Sequence, residues 1–240
     1  MRYVIFGTGR VGASMAGWLA HLGHDVKAVS HDEAATREGA CLAAIASAEV
    51  VAAAMPDDAI AGWREAFRAE LVGKTAIHFS GALLVDGLYS YHPLISFPRA
   101  PLAPEAMGRI AFARQQGAPP LAEIFPGAPN PEFTIADADR AYYHALAVLS
   151  GNFAAYLWNV TAKGLADRLG LKPEDVLAPY LEGVVARFAE SPYDSLTGPI
   201  ARRDHASIEA NLEALAGDQK LEGLYRAFLA SAWPSFKDGK

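Results

Sequence analysis

Three glycines near the start of the chain constrain its fold more than any other feature. Met1-Arg2-Tyr3-Val4-Ile5-Phe6 is a short apolar run of strand character, and it breaks at once into Gly7-Thr8-Gly9-Arg10-Val11-Gly12. Ser14, Met15, Trp18 and Leu19 then recur at helical spacing. Strand, glycine turn and helix in this order suit a dinucleotide. The first glycine permits the tight turn, the second lets backbone approach the pyrophosphate, and the third lets helix and strand pack closely. The phosphates would rest on the free N–H groups of the first helical turn. Gly7, Thr8, Gly9, Arg10, Val11 and Gly12 are therefore candidate cofactor-binding residues, against the competing reading of a glycine-rich turn with no ligand.

A chain of 240 residues is long enough for one large domain or two modest ones. A net charge of −6, with no Lys/Arg run, argues against nucleic acid as a partner, because neutralising phosphates needs a basic face. The single cysteine, Cys41, excludes an internal disulfide framework and fits a reducing compartment. It reads better as a small core residue than as a nucleophile. The segment from Ala40 to Met55 is apolar, but Ser47 and Glu49 interrupt it and Pro56 ends it, short of the ~18 apolar residues of a spanning helix. No membrane segment, signal peptide or metal site is expected, and the location expected is cytoplasmic.

Val26-Lys27-Ala28-Val29 reads as a second strand. An NAD site usually carries Asp or Glu at the end of that strand, to take the ribose 2′-hydroxyl. This chain has Ser30 followed by His31, and with Arg37 these could bond a 2′-phosphate, so NADP is favoured and NAD remains possible. Asp32 and Glu33 speak against this unless they begin the next helix, where acidic side chains suit its positive end. Glu49 to Ala54 reads as a buried strand that turns at Met55, Pro56 and Asp57 into a helix carrying Trp63 and Phe67. The turn makes those three candidate cofactor neighbours, although Asp57 or Asp58 as a plain helix N-cap is an equal reading.

Lys74 to His78 forms the next strand, and its terminal turn, with Ser80 and Gly81, should face the nicotinamide end. His92 precedes Pro93, which restricts it to an extended conformation. Arg109 to Ala113 looks like another strand, residues 117–131 are crowded with Pro, Gly and Ala, and Glu132 to Ile135 is a last short strand. From Asp137, with Asp137 or Asp139 as N-cap, to about Gly170 the pattern is one long helix. Helices follow near 173–190, from Asp204 to about 216, and at 218–232. The fold expected is α/β: a doubly wound parallel sheet, then an all-α C-terminal domain. The boundaries expected are 1–135 for dinucleotide binding and 136–240 for substrate and dimerisation.

On the long helix, His144, Asn152, Asn159 and Lys163 fall within one broad stripe at 100° per residue. Hydride transfer to a carbonyl or imine needs a proton donor and a polarising group, which lysine or histidine and asparagine can supply. The alternatives are a solvated Lys163 and an interface histidine. A second cluster, Thr197, Gly198, Pro199, Arg202, Arg203 and Asp204, joins hydroxyl, guanidinium and helix N-terminus; it suits an acidic substrate or a phosphate, or equally a subunit contact.

These segments together resemble a bacterial family of NADP-dependent oxidoreductases, in which a Rossmann-like domain precedes a helical domain of unknown function. The carriers are the Gly7 to Gly12 turn, His78-Phe79-Ser80-Gly81, His92-Pro93-Leu94, Tyr143-His144-Ala145 with Asn152, and Leu196-Thr197-Gly198-Pro199 with Arg202 and Asp204. Arg203 stands where the family usually has glycine, and Asn211 where it usually has histidine. The layout is more distantly similar to pyrroline-5-carboxylate reductase, ketopantoate reductase and the 6-phosphogluconate dehydrogenase group. The resemblance implies a homodimer formed through the helical domain and a small substrate held between the two domains.

The expected activity is hydride transfer between NADP and a small anionic carbonyl or imine compound. His92, His144, Asn152 and Lys163 are the catalytic candidates, with His92 or His144 as proton donor. His78, Thr197, Gly198, Arg202 and Asp204 are the substrate-side candidates. The competing class is a non-catalytic NADP-binding sensor or assembly module, and a flavin-type or deazaflavin cofactor is a third reading.

Overall fold

A computed structural model of the chain describes residues 1–36 and 39–237. Arg37 lies outside the described residues. Two compact units, Met1–Phe153 and Ala154–Lys240, make up the chain.

The first unit begins as its glycines require: strand β1 (Arg2–Phe6), helix α1 (Arg10–His21) and strand β2 (Asp25–Val29). Helices α2 (His31–Thr36) and α3 (Ala40–Ser47) lead to β3 (Val50–Ala53), α4 (Asp57–Ala66), β4 (Thr75–His78) and β5 (Tyr89–Pro93). Two one-turn helices, α5 (Pro104–Met107) and α6 (Leu121–Ile124), flank β6 (Phe112–Gln115), and β7 (Glu132–Ile135) closes the sheet. The strand order is β2-β1-β3-β4-β5-β6-β7. Strands β1 to β5 pair in parallel, β6 runs antiparallel to β5, and β7 is parallel to β6. The sheet is thus of Rossmann type and mostly parallel, with a reversed pair at one edge.

Parallel strands covered on both faces read as unbroken apolar runs, with successive side chains serving opposite layers. Tyr3 and Ile5 of β1, with Val50 and Ala52 of β3, join Met15, Trp18 and Leu19 of α1 in one buried layer. Val4 and Phe6, with Val51 and Ala53, join Ile45 of α3 and Ile60 and Trp63 of α4 in the other. Cys41 is buried in that second layer, as a small core residue should be.

Two expectations need correction. The strand expected at Arg109 to Ala113 begins only at Phe112, because the Arg109 and Ile110 N–H groups close the turn after α5 on the carbonyls of Ala106 and Met107. The long helix is not uniform: a 3₁₀ turn (Asp137–Asp139) precedes α7 (Arg140–Val148), and a π-helical segment (Leu149–Phe153) ends the unit. Neither aspartate caps it through its side chain; the Asp137 carboxylate acts electrostatically on Arg140 instead.

The second unit is all-helical: α8 (Ala154–Leu169), α9 (Pro173–Glu190), α10 (Gly198–Arg202), α11 (His205–Leu215) and α12 (Gln219–Ala232). Asp204 and Asp218 cap α11 and α12 by accepting the N–H groups of Ser207 and Leu221. Ile200, Ile208, Leu212, Leu229 and Trp233 form its core. Neither α8 nor α9 contains a buried residue. Among the described residues no helix is long and apolar enough to cross a membrane.

Candidate functional site

In an open α/β sheet, ligands collect at the carboxyl ends of the strands where the strand order reverses. That point lies between β1 and β3, and the glycines are built for it. A Cβ on Gly7 (φ +110°) would collide with the Ala54 carbonyl beyond β3, and one on Gly12 would collide with the Gly7 carbonyl. Helix α1 can therefore start directly against the strand ends. Gly9 occupies its N-cap with no side-chain cap bond, and no acidic residue sits in the first turn. Its N–H groups are left for an anion, with Arg10 beside them. The cradle thus fits a dinucleotide pyrophosphate.

At the end of β2, Ser30 and Glu33 form a capping box. The Ser30 N–H donates to Glu33 Oε2 (2.9 Å), and the Glu33 N–H donates to Ser30 Oγ (3.3 Å). The bonds from Ser30, and then Lys27 at 3.5 Å, hold the Glu33 carboxyl below the ordinary carboxylate range. Asp32 and Glu33 do begin a helix, as one reading held, yet the Glu33 charge stays beside Ser30. His31 is exposed at the first position of α2.

The turns after β3 and β4 meet through one hydrogen bond. Met55 and Pro56 lead into α4, where Asp57 does not act as N-cap: Pro56 holds that position, and Asp57 Oδ2 accepts the Ser80 hydroxyl at 2.6 Å. Ser80 Oγ also accepts the Leu83 N–H, at 3.0 Å. His78 lies fully buried, its Nδ1 accepting the Ser80 N–H at 3.2 Å. That bond puts the His78 proton on Nε2, which has no partner. Burial, aided by Arg140, pushes the His78 pKa down to about 4, so this imidazole is neutral.

Gly81 is where the histidines converge. A Cβ there would lie 2.5 Å from His144 Cδ2 and 3.1 Å from His92 Nε2, so only glycine lets both rings approach this turn. The two rings sit edge to face, 5.8 Å between centroids. Proline restriction holds His92 extended on β5, and its Nδ1 lies 2.8 Å from the Tyr143 hydroxyl. Burial, His144 and Arg140 together push the His92 pKa down to about 4. His92, Tyr143, His144 and Asn152 line a pocket of about 390 Å³, with Leu94, Ile95 and Leu146 as apolar wall. Asn152 belongs to the π-helical segment, a distortion frequent at functional sites.

Arg140, Tyr143 and Ser90 were not among the sequence candidates. The Arg140 guanidinium is wholly buried; its Nη2 donates to the Ser80 carbonyl (3.1 Å) and to Ser90 Oγ, while Nε and Nη1 have no partner. Ser90 Oγ in turn donates to the Ser80 carbonyl at 2.7 Å. The signal for this cluster was present as Arg140, Tyr143 and His144 at i, i+3 and i+4, one helical face.

The remaining candidates lie in the second unit. Lys163 is exposed and paired with Asp167 at 2.6 Å. The stripe that joined it to Asn152 assumed uniform α-helical turns, which the π segment interrupts. Thr197 precedes α10 without a side-chain cap bond, Gly198 opens that helix and Arg202 ends it, exposed. Asp204 is occupied as the cap of α11, and its bonds with Ser207 lower its pKa.

The family model described as a domain of unknown function, DUF2520, matches residues 111–232. The chain belongs to the DUF2520 family. No curated protein matches it. Among solved structures it is similar to the "putative NADP oxidoreductase BF3122" of Bacteroides fragilis: 18% identity, TM-score 0.72, covering 96% of this chain and 97% of that one. Protein TM1727 of Thermotoga maritima is 22% identical, with TM-score 0.67 and coverage of 95% of both chains. An imine reductase of Myxococcus stipitatus, in complex with NADP+, is 12% identical, with TM-score 0.65 and coverage of 98% and 94%. At these identities the likeness shows the fold.

Proposed function

We propose that this chain is an NADP-dependent oxidoreductase that transfers a hydride to or from a small anionic carbonyl or imine compound. One observation carries the reading: the glycine cradle and the pocket lined by His92 and His144 lie on the carboxyl edge of one sheet, within one compact unit. Several structural neighbours hold nicotinamide dinucleotides, NADP in a pyrroline carboxylate reductase of Plasmodium falciparum among them, which supports the choice of cofactor.

Gly7 to Gly12 would hold the pyrophosphate on the α1 N-terminus, Ser30 and His31 the adenosine end, and Met55 to Asp57 with Ser80 and Gly81 the nicotinamide side. When bound, the cofactor supplies a hydride. His92, His144 and Asn152 present N–H donors to the atom that gains electron density, and the reduction is balanced by one proton reaching that atom. The buried guanidinium of Arg140, which acts electrostatically on His92 of the pocket lining, supports an anionic substrate. Residues 1–135 would bind cofactor. Residues 136–240 would serve substrate and a homodimer contact, supported by Tyr156, Trp158, Tyr180, Val185 and Phe188, all exposed on α8 and α9.

Side-by-side calorimetric titration with NADPH and NADH tests the reading. Selective NADPH binding is expected; binding of neither would sink it. Unchanged turnover in His144→Ala and Asn152→Ala, with cofactor still bound, would remove both residues from the catalytic reading, whereas cofactor binding with no turnover of any carbonyl or imine compound would leave a binding module.

A further inference from the structure

We propose that Tyr143 and His92 form a proton relay serving a carbonyl oxygen, so that the pocket takes carbonyl compounds rather than preformed iminium ions. This rests on the reductase reading above.

The geometry sets the direction of the relay. The Tyr143 hydroxyl lies 2.8 Å from His92 Nδ1 and has no other hydrogen-bond partner among the described residues. A phenol that accepted from Nδ1–H would leave its own hydrogen unused, so Tyr143 donates and the His92 proton sits on Nε2. Tyr143 is held for this by Phe133, edge to face at 5.8 Å, and by His92 at 5.6 Å. The His92 ring lines the pocket, which gives a ligand atom access to it. The charged and titratable groups acting on His92 are His144 and Arg140 of α7 and Asp57 of α4. Burial, with His144 and Arg140, outweighs Asp57, so the ring stays neutral at physiological pH and cannot act as an imidazolium acid.

The step balances as follows. Hydride adds to the carbonyl carbon and the π pair moves onto oxygen. The His92 Nε2–H bond breaks as the new O–H bond forms. Nδ1 takes the Tyr143 proton, leaving a phenolate. Burial raises the Tyr143 pKa to about 12 and Arg140 opposes that rise. An alkoxide is a stronger base still, so the transfer runs downhill. Solvent then reprotonates Nε2 through the pocket while Nδ1–H returns its proton to the phenolate. An iminium nitrogen has no lone pair for Nε2–H, and the Arg140 charge that acts on His92 disfavours a second cation beside that ring.

The test is long-range ¹H–¹⁵N correlation of the histidines in the full-length protein, with His92 assigned from its loss in His92→Asn. The expected result is an Nε2–H tautomer unchanged from about pH 5.5 to about pH 8. In Tyr143→Phe, the His92 signals should move toward a tautomer mixture while the other histidines stay put. An Nδ1–H tautomer, an imidazolium at neutral pH, or a His92 spectrum indifferent to Tyr143→Phe overturns the relay alone. Failure of the wild type to bind NADPH overturns the reductase reading and the relay with it. Reduction of N-methylpyrrolinium by the wild type would sink the carbonyl assignment.

Discussion

Gly81 and Glu33 are the residues whose chemistry is most exposed to test. A methyl group at position 81 must displace His144, so Gly81→Ala should destabilise the fold by about 1–3 kcal/mol in urea unfolding, the usual cost of overpacking. Gly151→Ala is the control, since a Cβ there meets nothing within 4 Å. At the other end of the proposed cofactor site, the Glu33 carboxylate stands where a 2′-phosphate would need neutral or positive neighbours. Glu33→Gln should raise NADPH affinity several-fold relative to NADH by calorimetry, and an unchanged ratio would place the 2′-phosphate elsewhere. The glycine turn and the candidates His92, His144 and Asn152 were legible as residues, because their types and spacing carry their chemistry. Arg140 was not: a charged side chain reads as solvated until the fold buries it, here with its guanidinium on Ser80 after β4 and Ser90 of β5.

At the scale of elements, the junction of α10 and α11 shows a local rule being broken. Arg203 takes a left-handed conformation (φ 57°, ψ 41°) where the resembled family usually has glycine. The strain of such a residue is about 1 kcal/mol or more. Partial compensation comes from the guanidinium stacking on Trp233, 4.9 Å from the ring centroid, worth about 0.5–1 kcal/mol. Arg203→Gly loses the stack and the strain together and should leave stability near the wild type. Arg203→Ala keeps the strain and should fall roughly 1 kcal/mol below the glycine variant in the same unfolding assay. The strand and helix pattern was readable because both faces of the sheet are apolar and the caps at Asp204 and Asp218 are local signals. The π segment and the start of β6 were not; the latter is set by backbone bonds at Arg109 and Ile110 that carry no mark in residue type.

For the whole molecule, His78 and His92 make stability depend on pH. Both are held neutral with pKa values near 4, against about 6.5 when unfolded. The unfolded chain therefore binds more protons between those values, and stability falls as pH drops from about 6.5 to about 4. Full loss amounts to roughly 3 kcal/mol per histidine. The melting temperature should decline over that window, and less steeply in His92→Asn; a flat profile would contradict the burial of both rings. Light scattering at micromolar concentration should report a dimer, because α8 and α9 expose large apolar side chains that a second copy would cover.

What the sequence determined by itself is whatever depends on short range: the glycine turn between strand and helix, the alternation of strands and helices, and the switch to an all-helical second half. The candidate residues could be named for the same reason. Tertiary structure alone decided how they act. Burial of Arg140 beside His92, the Tyr143 hydroxyl on Nδ1, and the fit of two imidazoles against Gly81 arise where the ends of β4 and β5 meet α7. Burial changes the free energy of a charge or a proton by far more than sequence neighbours do, and burial is a property of the folded chain.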